Sequence, residues 1–208
     1  MIKIELVRTL LDEKYPDPHV SLDYTTPFQL LIATLLSAQC HDEQVNKVTP
    51  VLFQKASTPE QMRSLGETEI GKLIYSCGFY RTKSHYIAQL SKQLCERFGG
   101  AVPDTFEDLE SLPGIGHKTA SVVMMYAFGY PAFPVDTHIH RVAMQWGLSK
   151  GPTVERVEKD LKTLFHQNLW YKLHLQMINY GRKFCNHVAC KKEHPCPICK
   201  ALNIYKIC

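Results

Sequence analysis

The sequence lacks any apolar run approaching the ~20 residues needed to cross a bilayer as a helix. A leader is not expected either: the first fifteen residues mix Lys3, Glu5, Arg8, Asp12 and Glu13 into their apolar positions, unlike a secretory signal. Membrane partners are therefore not expected. The reducing cytoplasm is the expected setting, with association to the nucleoid if the cell is bacterial. No alternating apolar and polar stretch is long enough to read as a strand, and no internal repeat or low-complexity tract breaks the chain. Net charge is modest, at +4, and only 21% of residues are charged against 45% hydrophobic. That balance excludes a disordered chain and fits a globular one of 208 residues with room for one or two cores.

What is present reads as one helix after another. Ile2, Leu6, Val7, Leu10 and Leu11 form one face of an opening helix. Phe28 to Ala38 is apolar nearly all round, as in a buried helix. Val45, Val48, Leu52 and Phe53 mark the next, and Thr58-Pro59-Glu60-Gln61 carries a capping residue, a first-position proline and a capping-box glutamine. Further helices are expected over Arg81–Phe98, closed by Gly99-Gly100, and, capped by Asp104 and Glu107, in a short piece ending near Leu112. They are followed by Thr119–Phe128, Asp136 to Trp146, Thr153 to Phe165 and Leu169–Arg182. The fold class is all-α. Two prolines between Tyr130 and Pro134 suggest a boundary between two helical parts.

The stretch from Leu112 to Ser121 (Leu-Pro-Gly-Ile-Gly-His-Lys-Thr-Ala-Ser) holds the densest chemistry. A helix ends, a turn with Gly114 and Gly116 lets a ligand approach the backbone, and a new helix starts with its free N–H groups outward. Such a terminus suits a phosphate and reads no base. Lys118, in the first turn, is either a phosphate contact or, as a neutral amine, a nucleophile toward a sugar C1′. Neutrality needs a large drop from an ordinary lysine pKa of about 10.4. The helix dipole supplies less than one unit of that drop, so burial must supply most of it. Asp136, in Val135-Asp136-Thr137-His138-Ile139, is a helix cap whose second oxygen is available to support positive charge on a sugar.

Eight cysteines occur, and five of them (Cys185, Cys190, Cys196, Cys199 and Cys208) crowd the last 24 residues. In a reducing compartment that points to metal before disulfides. His187 and His194 lie among them, so on residue types alone zinc and iron–sulfur both remain open. The same end is basic: Lys172, Arg182, Lys183, Lys191, Lys192, Lys200 and Lys206 face Glu193 alone, leaving the rest of the chain slightly acidic. A phosphate footprint and a solvated basic tail explain this charge equally well.

Leu112-Pro-Gly-Ile-Gly-His-Lys-Thr-Ala, Val135-Asp-Thr-His-Ile, Leu36-Ser-Ala-Gln39 and the cysteine-rich tail together resemble the endonuclease III family of DNA glycosylase/AP lyases, in order and spacing over nearly the whole chain. The resemblance implies that Lys118 is the catalytic lysine and Asp136 the catalytic aspartate. It implies a flipped-out nucleotide, with Gln39 in the vacated space and Phe79 as an apolar wedge. Gly114 and Gly116, with Lys191 and Lys192, would contact double-stranded DNA bearing damaged bases or abasic sites. The substrates implied are oxidised pyrimidines, with strand cleavage by β-elimination. Two helical domains are implied, a barrel with the hairpin over 20–131 and a cluster domain from 1–19 plus 132–208, working as a monomer. The family's cysteine spacing, C-x6-C-x2-C-x5-C, holds a four-iron four-sulfur cluster. Here Cys185-x10-Cys196-x2-Cys199-x8-Cys208 is the matching set, with longer loops, and Cys190 is able to replace Cys185. The resemblance favours iron–sulfur over zinc. Related adenine glycosylases lack the lysine and usually carry an added C-terminal domain, so Lys118 and the chain's end at Cys208 argue against that activity. A purely DNA-binding hairpin module would need no Asp136.

Overall fold

In the computed structural model, residues 2–186, 190, 191 and 193–204 are described. Among them all regular structure is helical, in agreement with the expected fold class. The helices are α1 Ile2–Lys14, α2 Pro27–Ser37, α3 Asp42–Lys55, α4 Pro59–Leu73, α5 Tyr80–Phe98 and α6 Phe106–Glu110. They continue with α7 His117–Phe128, α8 Thr137–Gln145, α9 Val154–Leu164, α10 Trp170–Lys183 and α11 Pro197–Ala201. None is long and apolar enough to cross a membrane.

The starts of these helices are set by local chemistry. Thr26, Thr58, Thr105, Asp136 and Thr153 each sit in extended backbone and accept from the N–H three residues on, satisfying one of the donors a helix start leaves open. The cap of α6 is Thr105, not Asp104: its hydroxyl accepts from Asp108 N at 3.2 Å. Gly99, left-handed at φ 58°, ends α5 as expected. Within α4, Gly66 at φ 77° breaks the helical path into two pieces.

The chain divides into two compact units, Val20–Tyr130 and Met1–His19 with Pro131–Cys208. In the first, α2 is buried on nearly every side, and Leu31, Ile32 and Leu36 pack with Met62, Ile70, Ile87, Leu90 and Val123. Its α4 and α5 run against each other, and α7 packs on α2. In the second, α8 and α1 pack on α10 through Val7, Leu11, Ile139, Val142, Trp146 and Tyr180. Asp12 on α1 holds Lys172 and Gln176 of α10 at 2.6 and 2.9 Å, which fixes how those two helices meet.

Candidate DNA-facing hairpin and cysteine centre

In the first unit α6 and α7 form a helical hairpin about the turn Ser111–Gly116. Leu112 and Ile115 anchor the turn in the core, and Ile115 N donates to Leu112 O at 3.1 Å. His117 pairs with Glu110 at 2.7 Å and stacks on Phe106 at 5.6 Å, pinning one arm to the other. Gly114 is left-handed at φ 79°, and a Cβ there would meet the Tyr86 ring at 2.7 Å, so the turn needs glycine twice over. Gly116 has ordinary backbone, and a Cβ there would meet nothing within 4 Å. It begins α7 with no side-chain cap. The opening N–H groups of α7 are thus left for a ligand, with the positive end of the helix behind them.

Lys118 stands exposed on that first turn, with no hydrogen bond or ion pair among the described residues, so the described residues do not supply the burial that a neutral amine is expected to need. Asp136 lies in the other unit. One carboxylate oxygen accepts from Ile139 N at 2.8 Å to cap α8, while the second has no partner among the described residues.

Gln39 and Phe79 share an unusual feature that local sequence did not announce. Both are non-glycine residues in left-handed backbone, at φ 53° and 58°, and both are exposed, Phe79 by 66%. An aromatic residue held there carries strain of about 1–3 kcal/mol, which persists only when its surroundings impose it. Their loops are bound together. Gly78 lies so close to the Gln39 carbonyl that a Cβ would reach 3.3 Å from it, and Gln44 Nε2 donates to Ser76 Oγ at 2.7 Å. Beneath them Lys83, 5% exposed, donates to the Leu36 carbonyl at 2.8 Å. Lys83 carried no signal in the sequence, because its acceptor lies 47 positions away.

In the second unit Cys185, Cys190, Cys196 and Cys199 are all buried, with their sulfurs within 4.8 Å of one another. Cys185, Cys196 and Cys199 are free thiols. Three of the expected ligands are gathered. Cys208, the fourth, lies outside the described residues, as do Lys192 and His187. Cys190 joins Cys185 in the group instead of replacing it. Lys191 is exposed at the neck of this loop, its backbone exchanging hydrogen bonds with His194 at 3.2 and 3.0 Å. Cys196 directly precedes α11, which carries Cys199 inward, while Tyr180 accepts Ile198 N on its hydroxyl at 3.1 Å. Gln145, buried on an otherwise apolar face of α8, donates to Cys199 Sγ at 3.2 Å and accepts from Cys185 at 3.4 Å. Arg141 donates to the carbonyls of Gly181 and Cys185, both at 2.8 Å. Hydrogen bonds from Cys185 and Cys199 hold the Cys196 thiol below its usual range, while the same contacts push the Cys185 thiol up. A buried set of soft sulfur donors of this kind fits a thiolate-bound metal centre.

Residues 32–167 match the model of the HhH-GPD superfamily base excision DNA repair proteins. The Endonuclease III of Synechocystis is 42% identical over 198 residues, which cover 92% of this chain and 90% of the relative. This chain belongs to the endonuclease III family. Two solved structures of family members extend the likeness to the fold. One is a non-covalent Endonuclease III–DNA complex, with a TM-score of 0.88 at 39% identity, covering 98% of this chain and 95% of that one. The other is a trapped Endonuclease III–DNA covalent intermediate, with a TM-score of 0.87 at 39% identity, covering 95% and 94%. Base-excision repair is thus the family's work, and the hairpin of this endonuclease III relative lies within residues 32–167.

Proposed function

We propose that this protein is a DNA glycosylase with AP lyase activity. It excises oxidised pyrimidines from duplex DNA and cleaves the strand through a Lys118 Schiff base. The observation that carries the proposal is the exposed Lys118, unpaired among the described residues, on the first turn of α7 directly after the Gly114–Gly116 turn.

The hairpin N–H groups and the glycines take a phosphate of the damaged strand and bring the sugar to the lysine. The neutral amine attacks C1′, and the base leaves with the electrons of the glycosidic bond. The uncommitted oxygen of Asp136 supports the positive charge that grows on the sugar. Ring opening gives the Schiff base; a C2′ proton is lost and the 3′ phosphate departs, which is β-elimination. Gln39 and Phe79 fill the gap the flipped nucleotide leaves, and Lys191 and Lys192 add phosphate contacts. A likeness to a structure described as a trapped covalent intermediate with DNA supports the covalent route.

The metal centre is proposed as a four-iron four-sulfur cluster on Cys185, Cys196, Cys199 and Cys208. Cys190 is the rival for the fourth place, because its sulfur lies in the same group. Held by Cys185 just after α10 and by Cys196 and Cys199 at α11, such a cluster would tie the basic loop to those two helices. Iron and sulfide content with visible absorption near 400 nm supports it, and stoichiometric zinc in a colourless protein overturns it. The protein is proposed to act as a monomer in the cytoplasm, on chromosomal DNA.

Incubation with abasic or thymine-glycol duplex plus borohydride tests the reading. A covalent adduct is expected, and it is lost in Lys118→Gln. Base release with no adduct would instead indicate a monofunctional glycosylase.

A further inference from the structure

Gln39 and Phe79 are both held in left-handed backbone, and one buried side chain links the two positions. Lys83, 5% exposed, stands on α5 one turn after Phe79. Its backbone N–H donates to the Phe79 carbonyl at 3.0 Å, which ties it to the start of that helix. Its ammonium donates to the Leu36 carbonyl at 2.8 Å, in the last turn of α2 and three residues before Gln39. In a continuing helix that carbonyl would take the Cys40 N–H. Gln39 reverses the chain, and the Cys40 N–H donates to the Ser37 carbonyl at 3.1 Å instead. The end of a helix is where a cation is most favourable, yet burial still disfavours an ammonium. A methionine would fill the same space without that cost, so what lysine supplies there is the bond. Two further ties join the same loops: Gln44 donates to Ser76 Oγ at 2.7 Å, and Gly78 lies against the Gln39 carbonyl.

We propose that Lys83 is a positioning residue for damage recognition, with Gln44 as its partner nearer the surface, and that together they set the spacing at which Gln39 and Phe79 meet a duplex. The inference rests on the proposed roles of those two residues. Gln39 and Phe79 are exposed side chains on separate loops. To fill one gap together they need their backbones at a fixed separation. Loops ordered only on binding would spend part of the affinity on that ordering, whereas loops ordered beforehand would not. Lys83 supplies the order in the free protein, by joining the first turn of α5 to the last turn of α2. It is buried beneath both loops, so its effect on DNA passes through Gln39 and Phe79.

The test measures binding of the full chain, metal centre intact, to a duplex with a non-cleavable abasic analogue and to the same duplex undamaged. Lys83→Met keeps an unbranched side chain and removes the donor. It is expected to lose at least about fivefold in affinity for the damaged duplex and less than about twofold for the undamaged one, which is held by phosphate contacts. In a Gln39→Ala/Phe79→Ala background Lys83→Met is expected to change nothing further, since the side chains it acts through are gone. If Lys83→Met does not fold, Gln44→Ala carries the test. It cuts the tie to exposed Ser76 and is expected to lose about twofold or more on the damaged duplex alone, again only while Gln39 and Phe79 are present. Equal losses on both duplexes overturn the inference, as does a loss that persists in the double-alanine background. A parent that does not tell the two duplexes apart counts against the proposed function. A parent that does, matched in this by Lys83→Met or, where that variant does not fold, by Gln44→Ala, overturns the positioning role alone.

Discussion

Gly114 and Gly116 stand two residues apart and are glycines for different reasons. At Gly114 the backbone is left-handed and the Tyr86 ring would meet a Cβ, so Gly114→Ala is expected to cost about 1–3 kcal/mol and to lower the melting temperature. At Gly116 there is space and ordinary backbone, so Gly116→Ala is expected to cost about 1 kcal/mol or less, as a weaker cap. Its methyl group would occupy the approach to the first N–H groups of α7, and duplex affinity should drop more for Gly116→Ala than its stability does. Thermal unfolding and duplex titration of both variants check the pair; equal losses of affinity and stability at Gly116 would contradict a phosphate site. Asp136 allows a similar separation. Asn caps a helix about as well as Asp, so Asp136→Asn should melt within a degree or two of the parent. Its turnover should fall on the order of 100-fold or more, since the charge facing the sugar is gone. A variant that unfolds early, or keeps its turnover, would leave Asp136 only a structural role.

At the scale of elements, helix starts were the most legible feature, because a cap acts within three residues. Thr58, Thr153 and Asp136 were readable for that reason, while Asp104 lost to Thr105 because the cap belongs to the residue just before the first helical one. The break at Gly66 and the short helix α11 were not read: one is a single backbone reversal in a helical pattern, the other a turn inside a metal-type loop. The meeting of α1 and α10 was also beyond local reading, since Asp12 and Lys172 are far apart in sequence. Burial pushes the Asp12 carboxyl up, but the bonds from Lys172 and Gln176 outweigh it and hold its pKa below the ordinary 3.8. A lowered carboxylate pKa contributes stability above the unfolded value and loses it as pH falls through the folded one. Asp12→Asn should therefore melt lower than the parent at pH 7, by a modest amount because the pair is partly exposed. The gap should close as pH falls below the ordinary carboxylate range, as followed by melting temperature against pH. A gap that persists at pH 2 would mean that packing, not charge, carries the contact.

At the scale of the whole molecule, +4 net charge is small, but the segment from Tyr171 onward is strongly basic. Contacts to phosphate release counterions, so affinity for duplex DNA should fall steeply and log-linearly with salt. Lys191→Ala and Lys200→Ala, both at exposed positions, should each test whether that segment contributes, by making the slope shallower. An unchanged slope in both would return the segment to an ordinary solvated surface. The sequence by itself determined the helical class, most helix starts, the glycine turn with its lysine, and the family, because each rests on neighbours within a few residues or on motifs kept in order. Only tertiary structure decided what lies between distant segments. It gathered Cys190 beside Cys185, Cys196 and Cys199, put Gln145 against their sulfurs, and drove Lys83 under Leu36. Those pairings form when two cores close, and short-range pattern holds no record of which buried polar group will meet which.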